Sequence, residues 1–247
     1  MKELATGSRG FMEGLRLIRK PVLRRFVLIP LLLNILLFAG LLWYAVGWVG
    51  ALIDWLLGYL PDFLDWLSYL LWPIFALVSA LVIFYTFSAV ANLIGAPFNE
   101  LLAAAVEKHL TGQPVEEAGD WKTVLKEFVP SLLSELRKLL YFILWAIPFG
   151  LLFLIPGINL AAPFLWALFS AWMLSVEYVG YPMVNHKLLF TEQRTRLRRR
   201  RGLALGFGGT TLLFTMIPVL NFLVMPAAVA GATALWVREW KPAESSG

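Results

Sequence analysis

The sequence predicts an all-α integral membrane protein with two long transmembrane helices and two proline-broken, partly penetrating helical hairpins. Three observations carry that expectation. Hydrophobic residues make up 60% of the chain and charged ones 15%, with a mean hydropathy of +0.74, whereas a soluble domain carries about 25% charge. Two charge-free blocks, Phe26 to Ile53 and Trp66 to Asn99, are each long enough to cross a bilayer. Two further blocks, Leu139 to Val176 and Leu203 to Val237, are charge-free but interrupted near their middles by proline and asparagine.

Residues 1–25 hold Lys2, Arg9, Arg16, Arg19, Lys20, Arg24 and Arg25 around Phe11, Met12, Leu15, Leu17 and Ile18. That pattern reads as an amphipathic basic segment lying on the membrane surface, with a disordered basic tail as the alternative. It has no separate short apolar core and no small-residue cleavage site, so it does not read as a signal peptide. The block 26–53 is the first transmembrane helix. A linker, Asp54 to Asp65, follows with three aspartates and no lysine or arginine. The block 66–99 is the second transmembrane helix, extending into a helical hairpin over 100–138 that turns at Thr111-Gly112-Gln113-Pro114. The whole chain, 1–247, reads as a single membrane domain.

The hairpins 139–176 and 203–237 share a weak internal repeat. Ile155-Pro156-Gly157-Ile158-Asn159 precedes Pro163, and Ile217-Pro218-Val219-Leu220-Asn221 precedes Pro226. Proline removes a backbone donor and pushes the preceding residue out of the helical region, so each break suits a chain reversal. Each block is then either two full spans or a re-entrant pair, and the short arms lean toward the second. All 21 lysines and arginines fall in residues 1–25, 100–138, 177–202 and the C-terminal tail. Either hairpin reading therefore places every cation on the cytoplasmic side.

The chain has no cysteine and only His109 and His186, which leaves no thiolate chemistry and no histidine cluster for a metal. No nucleophile elbow, phosphate loop or zinc-protease motif occurs, so neither an enzyme nor a cofactor is expected. The blocks also lack the buried acid or base of a proton relay. They carry neutral polar groups instead. Asn34, Ser88, Asn92, Asn99, Asn159 and Asn221, with Glu100 at a block edge, are candidates for lining a solute pathway. Hydrogen bonding between helices is the competing role for such groups.

Arg24 and Arg25 form the sharpest candidate site. Two adjacent guanidiniums, beside a helix start expected near Phe26 with free backbone N–H groups, would suit a tetrahedral oxyanion. A plain cytoplasmic anchor is the alternative. The run Arg194 to Arg201 points to anionic lipid headgroups rather than nucleic acid, because it adjoins a membrane block.

Gly14-Leu15-Arg16-Leu17-Ile18-Arg19-Lys20-Pro21-Val22-Leu23-Arg24-Arg25-Phe26, followed by Ile29-Pro30-Leu31 and Asn34, resembles the opening signature of the CysZ family of bacterial sulfate transporters. The resemblance continues through Trp66 to Pro73, Ala96 to Asn99, Ile155 to Gly157, Phe169 to Leu174, Asn185 to Lys187 and Phe214 to Pro218. It implies sulfate uptake across the bacterial inner membrane, supplying assimilation toward cysteine. It also implies two long helices with two partly penetrating pairs, assembly as a homo-dimer or higher homo-oligomer, and sulfate binding at Arg24 and Arg25. With no nucleotide motif, the expected mechanism is an ATP-independent channel or secondary transporter. The rival readings are a structural or regulatory scaffold and an accessory subunit of an ATP-driven permease. Cytoplasmic placement suits the arginine pair to release or regulation as well as to capture.

Overall fold

A computed structural model describes residues 1–58, 66–115 and 121–241. Every regular element among them is helical: α1 (Lys2–Leu17), α2 (Pro21–Leu57), α3 (Trp66–Thr111), α4 (Trp121–Leu151), α5 (Ala162–Asn185), α6 (Phe190–Arg199), α7 (Arg201–Thr215) and α8 (Pro218–Leu235). A 3-10 turn, Leu152–Leu154, follows α4, and a π-helical turn, Trp236–Trp240, follows α8. Four helical stretches are long and apolar enough to cross a membrane: Pro21–Tyr44, Pro130–Leu154, Ala162–Asn185 and Leu220–Trp240.

The chain divides into two compact units, Leu28–Phe98 and Met1–Val27 with Asn99–Gly247. The first consists of the inner parts of α2 and α3. Its leucines and aromatics, Leu32, Leu36 and Trp43 among them, face outward, as lipid-facing helices require. Pro30 and Pro73 lie inside these helices, a placement membrane helices tolerate.

In the second unit, α1 packs on α7 and α8, α5 packs on α7 and α8, and α4 lies against α5. The core combines Phe11, Leu23, Leu102, Val106, Val179, Phe207 and an alanine-rich stretch of α8 closed by Trp236. Phe11 and Phe214 meet with ring centroids 4.8 Å apart.

The expectation for residues 1–25 needs correction. The segment is an amphipathic helix, but its inner face is spent on protein. Gly7, Gly10, Phe11, Gly14 and Leu17 are buried. A Cβ on Gly7 would collide with the Leu203 carbonyl of α7, and one on Gly14 with the Ala227 carbonyl of α8. Three glycines on one face let two helix backbones approach α1 more closely than any side chain would allow. Two ion pairs hold its outer edges. Glu13 takes the Arg238 guanidinium through two bonds of 2.6 Å, and Glu3 takes Arg200 at 3.0 Å.

Both interrupted blocks turn where their prolines stand. Ile155 (φ −91°, ψ 114°) and Ile217 (φ −97°, ψ 107°) are both extended, as residues before proline should be. In each repeat the asparagine amide donates to the isoleucine carbonyl four residues back, Asn159 to Ile155 at 3.0 Å and Asn221 to Ile217 at 2.9 Å. The turns then differ. Pro218 is the first residue of α8, whereas Pro156 leads into Gly157 at φ +84°, a left-handed conformation that glycine adopts freely.

Candidate functional site

α2 begins at Pro21, one turn earlier than expected, and this changes the arginine site. Proline has no N–H to leave unsatisfied at a helix start. The Leu23 amide donates to the Lys20 carbonyl at 3.0 Å and the Arg24 amide to the same carbonyl at 2.9 Å. The helix start is therefore not at Phe26, and the donors at Arg24 and Arg25 are guanidinium N–H groups. Both arginines are exposed, while Leu23 beside them is fully buried. Leu23 belongs to the same core cluster as Leu102 and Val106, so the preceding residue fixes where the pair stands. The Arg25 guanidinium lies 4.9 Å from the Phe26 ring centroid. Among the described residues, no carboxylate lies within ion-pair distance of either arginine.

The turn before α2 is braced from α3. Lys20 Nζ lies 2.7 Å from His109 Nε2. Two residues back along α3, Glu107 is buried and receives His186 Nε2 at 2.9 and 3.0 Å and Lys241 Nζ at 3.1 Å. His186 also stands 5.3 Å from the Trp236 ring. This buried carboxylate ties α3, the end of α5 and the C-terminal segment together. Its partners lie 79 and 134 residues away, and no local pattern announces them.

Asn99, in the C-terminal part of α3, is buried. Its Nδ2 donates to the Tyr181 hydroxyl at 3.3 Å and approaches Met225 Sδ at 3.5 Å. Tyr181 donates onward to Glu177 at 3.4 Å, and Glu177 pairs with Lys138 at 3.0 Å, which also holds Glu135 at 2.8 Å. A polar chain thus runs from α3 through α5 to α4. Lys138 and Glu177 flank the block 139–176, so folding that block as a hairpin brings its two ends together. That much was available from spacing. Glu100 is exposed, and its carbonyl accepts from Asn185 Nδ2 at 3.0 Å.

The remaining lining candidates are dispersed. The Asn34 Oδ1 is buried without a hydrogen-bond partner. Asn159 and Asn221 are exposed at the two hairpin turns. The side chains of Ser88 and Asn92 lie outside the described residues. The arginine run is also divided. Arg194 stacks over Tyr141 and Phe190 at 5.3 and 5.7 Å. Arg196 donates to the Trp240 carbonyl at 3.0 Å. Arg200 is bonded to Glu239 and Glu3, which hold its guanidinium above its ordinary range. Arg198, Arg199 and Arg201 stay exposed.

The profile of the family described as Sulfate transporter CysZ/Etoposide-induced protein 2.4 matches residues 10–226. The chain belongs to this family. A protein of Vibrio parahaemolyticus serotype O3:K6 (strain RIMD 2210633) named Sulfate transporter CysZ is 46% identical over 237 residues, covering 96% of each chain. Together with its four apolar spans, this makes the chain an all-helical membrane protein of the CysZ family.

Proposed function

We propose that this CysZ-family chain takes up sulfate across the bacterial inner membrane, without ATP hydrolysis, to supply assimilation toward cysteine. The observation that carries the reading is the exposed Arg24 and Arg25 pair, with no carboxylate at ion-pair distance among the described residues, in a chain similar along nearly its whole length to a protein named for sulfate transport. Each guanidinium offers a planar fork of donors matched to an oxyanion. A pair at the edge of the apolar block binds a dianion without trapping it at mid-membrane, and conduction requires binding weak enough to leave.

In this reading α2 and α3 are the two full spans, and the 139–176 and 203–237 hairpins enter the bilayer only partly. Support comes from α7, whose 15 residues extend about 22 Å against a hydrocarbon core of about 30 Å.

Purified chain in proteoliposomes is expected to move labelled sulfate unaided, and R24A/R25A is expected to lose that flux. Undiminished flux in the double variant would overturn the site. Flux that appears only with an added ATPase would make the chain an accessory subunit, and none under any condition would leave the scaffold reading.

A further inference from the structure

A groove of about 710 Å³ runs between α4, α5 and α7. Its walls are apolar over most of their length, with Leu136, Leu139, Phe142, Met173 and Leu212. One end carries three charges, Glu135, Lys138 and Glu177, and Ser170 and Thr215 also line it. From Glu135 to Phe142 the wall extends about two helical turns, or about 10 Å. On α4, Leu136 is 52% exposed and Leu139 53%. Within an apolar stretch, Pro130–Leu154, that enters the bilayer, such a face must be covered by acyl chain or protein.

The charged end selects among occupants. Lys138 gives one N–H to Glu135 at 2.8 Å and one to Glu177 at 3.0 Å. An ammonium has three donors, so one remains. The two carboxylates stay half open, with Glu135 59% and Glu177 44% exposed. Two acids against one base leave the cluster with an excess negative charge. It accepts a primary ammonium on the carboxylate lone pairs that Lys138 and Tyr181 leave open and offers one N–H to a neighbouring phosphate oxygen. A headgroup carrying only negative charge would be repelled.

We propose that this groove is a binding site for a zwitterionic phospholipid of the phosphatidylethanolamine class, its ammonium at Glu135 and Glu177, its phosphate at Lys138 and an acyl chain along Leu136, Leu139 and Phe142. The site sets a preference opposite to that of the exposed Arg198, Arg199 and Arg201, which attract anionic headgroups. It is also independent of Arg24 and Arg25, so its test can fail without touching sulfate transport.

The test is native mass spectrometry of the full chain released from bilayers of equal dioleoyl phosphatidylethanolamine and dioleoyl phosphatidylglycerol. Wild type is expected to retain phosphatidylethanolamine in preference to phosphatidylglycerol. E135Q/E177Q is expected to lose the preference while still holding lipid. L136W fills the groove, leaves all three charges in place, and is expected to retain less phosphatidylethanolamine. Equal retention of the two lipids by wild type overturns the proposal. So does an intact preference in E135Q/E177Q or undiminished retention in L136W. A lipid-free groove that L136W shows to be a contact between two copies of the chain also overturns it. Should E135Q/E177Q fail to fold, L136W alone decides.

Discussion

Leu23 and Arg24 are neighbours on the first turn of α2, yet one is fully buried and the other points outward. The leucine holds the turn in the core; the arginines meet no carboxylate among the described residues. A charge-assisted hydrogen bond contributes about 1.5–3 kcal/mol, so R24A/R25A is expected to weaken sulfate binding about tenfold or more. Exposed substitutions of this kind shift stability by about 0.5 kcal/mol or less. Flux and thermal unfolding in detergent, measured on the same preparation, should therefore separate: flux falls and the melting curve stays. Glu107 has the opposite character. Replacing this buried carboxylate with glutamine removes the charge shared by His186 and Lys241. The expected cost is about 1–3 kcal/mol, visible as a lower melting temperature. The arginine pair was legible in the sequence because its environment is local: two cations, a proline and an apolar run. Glu107 was not, because its partners come from the far ends of the chain.

At the scale of elements, glycine marks the difference between a helix lying on a surface and one built into the core. Gly14 faces backbone atoms of Ala227 and Gly231, whereas Gly40 on α2 has open space around it. Gly14→Ala is expected to destabilise by about 1–3 kcal/mol through overpacking, and to expose the N-terminal segment to protease. Gly40→Ala is expected to leave both readouts unchanged or slightly improved, since alanine is the better helix former. Equal behaviour of the two variants would remove the close packing of α1 as the cause. The amphipathic character of residues 1–17 was visible beforehand through Phe11, Leu15 and Leu17. The direction of its inner face was not, because Gly7, Gly10 and Gly14 add nothing to a hydrophobic pattern. Helices break where the sequence reading put the breaks, at Pro156 and Pro218, since proline acts on its immediate neighbours. The start of α2 was placed too late, at Phe26 rather than Pro21, because the block was drawn from its first charge-free residue, although arginine and lysine are good helix formers.

At the scale of the whole molecule, the absence of cysteine makes every introduced thiol a unique reporter. With partly penetrating hairpins, N159C and N221C are expected to resist a membrane-impermeant maleimide added from the periplasmic side. G58C, between the two full spans, is expected to react from that side, and Q113C only after the membrane is opened. Rapid external labelling of N159C or N221C would instead support six full crossings. Charge distribution foretells the sidedness, because the cost of carrying a lysine or arginine across a bilayer depends on composition alone. Crossing number depends on how far each hairpin reaches, which the charge pattern leaves undetermined.

By itself the sequence determined that the chain is helical, where its apolar blocks start and stop, where they reverse, and which two arginines stand at an apolar edge. These properties follow from residue type and short spacing. Only the tertiary structure decided that the arginine pair has guanidinium donors without free helix amides, that α1 is packed between α7 and α8, and that Glu107 is a buried hub. It alone decided that Lys138 closes a charged end onto an apolar groove. Those outcomes depend on helices far apart in the chain approaching within hydrogen-bond distance. Burial, not residue type, then decides whether a charge is solvated, paired or left available.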